Sequence, residues 1–155
     1  MHLVFLDTEF TDFIDPRLIS IGLASSEGHE FYDEVVFPST SCSDFVKKVV
    51  VPLLSCGERI SQGQLGAKVL DWLNRIRNAK PVVICYDSDY DRVLFFSLYN
   101  NNPPSFLIFR SIPYHSINGL RRYEFFSMRG LAEHHALNDA MALRHAFRGW
   151  TRLVR

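Results

Sequence analysis

The feature that most constrains this chain is an imidazole set five residues ahead of a carboxylate, in the stretch His134-His135-Ala136-Leu137-Asn138-Asp139-Ala140. From Asp139 onward, Asp139, Leu143, Phe147 and Trp150 recur at spacings of four, four and three, which sets them on one helical face. That face is apolar and should pack inward, carrying Asp139 with it. A buried carboxylate is costly unless it is paired or coordinates a metal. The helix therefore asks for a cation, and the rest of the chain must supply the other ligands.

The 155 residues favour one domain over 1–155, with a core large enough to fold alone. A composition 47% hydrophobic and 22% charged is that of a soluble globular protein. No apolar run approaches the roughly 18 residues of a membrane span, so no membrane partner is expected. Asp7 and Glu9 end the apolar opening too soon for a signal peptide. Cys42, Cys56 and Cys85 are odd in number and lack CxxC spacing. They read as reduced thiols of a cytoplasmic protein, not as a disulfide framework or a zinc site.

Net charge is zero but unevenly spread. Residues 101–155 carry eight arginines against Glu124, Glu133 and Asp139, while residues 1–100 hold fourteen acids against nine basic groups. Such asymmetry suits an acidic metal site beside a phosphate-binding surface, and suits an ordinary solvated surface as well.

His2 to Asp7 reads as a buried strand. Asp7 and Glu9, two apart at its end, share a face; the same pair also fits a solvated turn. Leu18–Ala24 and Glu30–Phe37 are two more strands, with hairpin chemistry in Ser25-Ser26-Glu27-Gly28 between them. Ser43 can cap a helix bearing Phe45, Val46, Val49 and Val50 that ends near Pro52. Ser61-Gln62-Gly63-Gln64 fits a capping box, and Leu65, Val69, Trp72, Leu73 and Ile76 line the inner face of the helix after it.

Pro81–Tyr86 is a continuous apolar run, as for a central strand. Asp87-Ser88-Asp89-Tyr90-Asp91 follows and leads into Val93, Leu94 and Leu98 at helical spacing. Acids suit a helix start for dipole reasons alone, but Asp91 sits where it can face back toward the strand ends. Phe106–Ile112 reads as an edge strand, and residues 113–130 as irregular or weakly helical. There Tyr114, Phe125 and Phe126 alternate with Arg121, Arg122 and Arg129, a mixture that grips single strands or simply fills a core. No repeat or linker marks a domain boundary. The elements together predict an α/β fold: a mixed sheet of five strands, the first three antiparallel, with helices on both faces.

Three motifs now stand in order: Asp7-Thr8-Glu9-Phe10, Tyr90-Asp91 before Val93-Leu94-Phe95, and His134-His135-Ala136-Leu137-Asn138-Asp139. As a set they resemble the DEDDh family of 3′–5′ exonucleases, the RNase T and oligoribonuclease type, on a ribonuclease H-like fold. Leu18-Ile19-Ser20-Ile21-Gly22-Leu23 is similar to that family's second strand, and Ile84 to Asp91 looks closest to a compact bacterial branch of 3′–5′ exoribonucleases. Many relatives carry an amide four residues before the second-motif acid, where this chain has Asp87.

The resemblance implies that Asp7, Glu9, Asp91 and Asp139 hold two Mg²⁺ or Mn²⁺ ions. Oxygen ligands favour such hard cations, and two ions about 3.5–4 Å apart serve phosphodiester hydrolysis. His134 becomes the general base, its ordinary pKa of about 6.5 letting it accept a proton near neutrality; His135 stays open as the alternative base. Thr8 and Phe10 occupy the positions that hold the terminal nucleotide in relatives, although Phe10 equally fits the core. The substrate implied is the 3′ end of single-stranded RNA or a 3′ overhang, with nucleoside 5′-monophosphates released. Single-stranded DNA, or a catalytically silent nucleic-acid-binding module, remain as alternatives. Family members are often homodimers, and a homodimer is expected here. A receiver-like signalling domain is disfavoured, because Lys80 is the last lysine and no late lysine is left to partner Asp87.

Overall fold

Successive residues of the first strand point to opposite sides of a sheet, and both layers of the protein are laid on them. A computed structural model of the chain describes residues 2–147 and 149. Strand β1 spans His2–Phe10. Its Val4 and Leu6 meet Leu65, Val69 and Leu73 of helix α1 (Gln62–Ile76) and Leu94 and Phe95 of helix α2 (Asp89–Ser97). Its Leu3 and Phe5 join Leu143 of helix α4 (Ala136–Ala146) and Phe147 on the other side. Phe5, Phe95, Leu73 and Leu143 are fully buried, and burying each such side chain contributes about 1.5–3 kcal/mol.

The five-stranded sheet has the order β3-β2-β1-β4-β5. β1 runs antiparallel to β2 (Leu18–Ser25), which runs antiparallel to β3 (Glu30–Glu34). On its other side β1 is parallel to β4 (Val82–Tyr86), and β4 to the edge strand β5 (Leu107–Ser111). The sheet is thus mixed, with its first three strands antiparallel and helices on both faces, as the sequence predicts.

Several boundaries differ from expectation. β1 continues past Asp7 because Thr8, Glu9 and Phe10 pair with Ile21, Ser20 and Leu18. β3 stops at Glu34; Val35 makes only an isolated bridge to Ile60, and Val36 is exposed. The Ser43-capped segment is a wide π-helical turn over Val46–Val50, followed by a tighter turn at Val51–Leu53. Ser43 Oγ does accept the Val46 N–H at 3.2 Å, but Phe45 is half exposed and leaves the inner face.

The capping box of α1 forms as expected: Gln64 N–H donates to Ser61 Oγ at 3.2 Å, and Ser61 N–H donates to Gln64 Oε1 at 2.9 Å. Within residues 113–130, expected to be weakly ordered, helix α3 spans Gly119–Arg129. Asn118 caps its start through the Arg121 N–H, and Gly130 ends it in the left-handed conformation at φ +62°. Phe125 and Phe126 anchor it against Ala140, Met141 and Ala142 of α4.

α4 begins at Ala136, one turn earlier than the apolar spacing from Asp139 indicates. Asp139, Leu143 and Phe147 are buried, as that spacing requires. Trp150 lies outside the described residues. Among the described residues, no helix is long and apolar enough to cross a membrane.

Candidate metal centre

Parallel strands β1 and β4 end on the same edge of the sheet, where open α/β sheets bind ligands. β1 delivers Asp7 and Glu9 there, and β4 delivers Asp87 just past its last residue. α2 starts from that edge, with Asp91 in its first turn; α4 arrives from the other face, with Asp139 in its first turn. Carboxylate oxygens of Asp7, Glu9 and Asp139 lie within 4.8 Å of one another, as do those of Asp7, Asp87 and Asp91. Asp7 belongs to both groups. The four acids expected from the motifs are therefore brought together, and a fifth, Asp87, joins them.

The local hydrogen bonds hold these groups in place. Asp91 is almost fully buried, and its Oδ1 accepts both the Thr8 N–H at 2.9 Å and the Thr8 hydroxyl at 2.6 Å. Both donors of Thr8 are thus engaged by Asp91. Asp139 Oδ2 accepts the His135 N–H at 3.1 Å, and Oδ1 accepts from Arg122 Nη2 of α3 at 2.5 Å. The carboxylate expected to demand a cation has a guanidinium on it.

Burial and mutual repulsion raise the proton affinity of the cluster. Asp7 is pushed well above the ordinary carboxylate range, first by burial and then by Asp91, Asp139, Glu9 and Asp87. Burial, with Asp139 and Asp91 beside it, lifts Glu9 to about 8. Burial lifts Asp91 to about 7 against the opposing Thr8 hydrogen bonds. Asp139, which is buried, and Asp87, which stays exposed at the cleft, are also raised by loss of hydration, with the Arg122 charge pulling each back down. An all-oxygen set of acids that resist ionisation together fits divalent cations of the hard class, whose charge would remove that resistance.

A cleft of about 600 Å³ opens over the acids. His134 lines it, in the left-handed conformation at φ +63°, with its ring edge-on to Phe45 at 5.1 Å. His135 turns away: its ring stacks on Tyr32 at 4.3 Å, and burial lowers its pKa. Phe10 is half-buried at the rim and stacks on Tyr90, centroids 5.1 Å apart, with Phe13 edge-on to both. Phe13 is largely exposed.

Reasoning from the sequence placed Asp87 at the second motif, as an extra charge able to alter metal affinity, without counting it among the ligands, and it missed Arg122 as the partner of Asp139. For Asp87 the pointer was present, since it follows the last residue of a strand read as central. For Arg122 it was weaker: an arginine one helical turn ahead of Phe126, over whose ring its guanidinium lies at 5.8 Å.

No protein-family model matches the chain, and no curated protein matches it. Among solved structures it is similar to Pop2p of S. pombe in its Mg²⁺- and Mn²⁺-bound form, with a TM-score of 0.65 and 13% sequence identity. The match covers 98% of this chain and 84% of that one. With its mixed five-stranded sheet in the order β3-β2-β1-β4-β5, the chain has a ribonuclease H-like α/β fold.

Proposed function

We propose that the chain is a metal-dependent 3′–5′ exoribonuclease of the DEDDh type, acting on single-stranded RNA 3′ ends and releasing nucleoside 5′-monophosphates. The observation that carries this reading is the sharing of Asp7 between two carboxylate groups. It supports a pair of adjacent ion sites, Asp7, Glu9 and Asp139 for one and Asp7, Asp87 and Asp91 for the other. The Mg²⁺- and Mn²⁺-bound state of the structural neighbour supports the choice of ion. Bound there, Mg²⁺ or Mn²⁺ would neutralise the phosphate and activate the attacking water.

The chain's own residues do the rest. Thr8 fixes the orientation of Asp91 through its two hydrogen bonds. The backbone N–H of His135 fixes Asp139. His134, on the cleft wall, accepts the proton of the attacking water at a ring nitrogen. Phe10, on the cleft wall and stacked on Tyr90, offers a ring surface to a terminal base, and such stacking is worth about 1–3 kcal/mol per base. The DEDDh resemblance supports the 3′ polarity and a homodimer, the run from Ile84 to Asp91 supports the compact bacterial branch, and three cysteines without a pairing pattern support a cytoplasmic setting.

The test is an assay on 5′-labelled RNA and DNA oligonucleotides with Mg²⁺, Mn²⁺ or EDTA. Stepwise shortening of RNA from the 3′ end, abolished by EDTA, is expected. Internal cleavage, digestion from the 5′ end or activity in EDTA would overturn the proposal. RNA binding without cleavage would mark a silent binding module instead, and preferential cutting of DNA would reassign the substrate.

A further inference from the structure

A cleft built for a phosphodiester must receive an anion, yet six carboxylates line this one: those of Asp7, Glu9, Asp12, Asp87, Asp91 and Asp139. Among the described residues, Arg122 is the single lysine or arginine on that wall. Its placement is specific. Nη2 donates to Asp139 Oδ1 of one carboxylate group, and its charge also reaches Asp87 of the other, on the same cleft wall.

Both oxygens of Asp139 are engaged, one by the His135 backbone N–H and one by Arg122. A divalent ion joining Asp7, Glu9 and Asp139 would take a remaining lone pair of that carboxylate and crowd the donors already on it. The backbone donor cannot turn away without unwinding the start of α4, whereas a partly exposed arginine side chain can rotate. A cation beside a guanidinium is also repelled by it. The guanidinium has five N–H donors in a rigid fork, and among the described residues Asp139 is its side-chain acceptor, reached through Nη2 alone. The remaining donors match the geometry of a phosphate.

Resting on the nuclease reading above, we propose that Arg122 is the phosphate-binding residue of the cleft, exchanging Asp139 for a substrate phosphate when a divalent ion takes that carboxylate. No covalent step is involved. α3 thereby becomes part of the substrate site, and the arginine's two partners alternate.

The test compares wild type, Arg122→Ala and Arg122→Lys in Mn²⁺ titrations by calorimetry, then in adenosine 5′-monophosphate titrations of the Mn²⁺-loaded proteins. Loss of a charged hydrogen bond to phosphate should weaken nucleotide binding about 10- to 100-fold in Arg122→Ala. Mn²⁺ should bind that variant several-fold more tightly, because a competing positive charge is gone. Arg122→Lys keeps a cation for Asp139 but loses the fork; a wild-type melting temperature with intermediate nucleotide affinity is expected, and this variant decides the matter if Arg122→Ala does not fold. Nucleotide affinity equal to wild type in the variants, or weaker Mn²⁺ binding in Arg122→Ala, would overturn the proposal and leave the nuclease reading standing. A wild type that binds neither Mn²⁺ nor the nucleotide would overturn both.

Discussion

Gly22 lies directly beneath Ala136: a methyl group on Gly22 would come within 2.2 Å of the Ala136 carbonyl carbon and oxygen. Gly22 is also the register partner of Asp7 across β1 and β2. The missing side chain is therefore what lets the start of α4 settle on the sheet beside Asp7, and with it Asp139. Gly22→Ala must push backbone away from backbone, which no rotamer change relieves. A loss of about 1–3 kcal/mol is expected from the overpacking, with Mn²⁺ affinity falling because Asp139 moves from Asp7. Thermal melts and Mn²⁺ titration check both; an unchanged Mn²⁺ affinity would separate Gly22 from the metal site.

Thr8→Val keeps the shape of the side chain but removes the 2.6 Å hydrogen bond to Asp91. Outer-sphere bonds that orient metal ligands typically matter by about 10- to 100-fold in affinity or activity. The expected outcome is a drop of that order in Mn²⁺ affinity, measured by calorimetry, with the fold retained. Thr8→Ser, which keeps the donor, should stay near wild type.

The raised carboxyl groups set a pH dependence. In the metal-free protein Asp91 titrates at about 7 and Glu9 at about 8, and Asp7 is raised as well. Unfolded, such groups titrate at about 4. Between those limits the folded chain binds more protons than the unfolded one, so stability falls as pH rises. The melting temperature in EDTA should be higher near pH 5 than near pH 8, and the slope should shrink in Glu9→Gln. Mg²⁺ should raise it more at pH 8, where the ligands are free of protons. A melting temperature in EDTA that is flat or rises over this range would refute the crowded-acid description.

His134 and His135 are adjacent in the chain but face different surroundings, the cleft wall and Tyr32. His134→Ala should lower kcat by about 10²- to 10⁴-fold, the usual worth of a positioned acid–base group. Mn²⁺ affinity should stay near wild type. His135→Ala should act on stability instead, through the lost ring stack. Turnover near wild type in His134→Ala would remove it from the mechanism.

Much of this arrangement was legible from local patterns. Asp7 and Glu9 were two apart on an apolar strand, so their shared face followed from the pleat. Asp139, Leu143 and Phe147 announced a buried carboxylate through helical spacing alone. α3 was harder to read, because its buried surface rests on two adjacent phenylalanines among polar residues, which trace no helical stripe. The turn at Val46–Val50 widened into a π-helix although Val46, Val49 and Val50 fit an α-helix equally well. Asp87 became a member of the cluster only because β4 lies parallel beside β1. The Arg122–Asp139 pair depends on how α3 packs against α4, and no local spacing encodes that.

Asp7 is the hinge of the whole proposal, since it alone belongs to both carboxylate groups. Mn²⁺ binding in the presence of adenosine 5′-monophosphate, followed by electron paramagnetic resonance in wild type and Asp7→Asn, tests it most directly. Two ions per wild-type chain and the loss of both in Asp7→Asn are expected. Equal Mn²⁺ binding by the two proteins would contradict a metal centre built on Asp7.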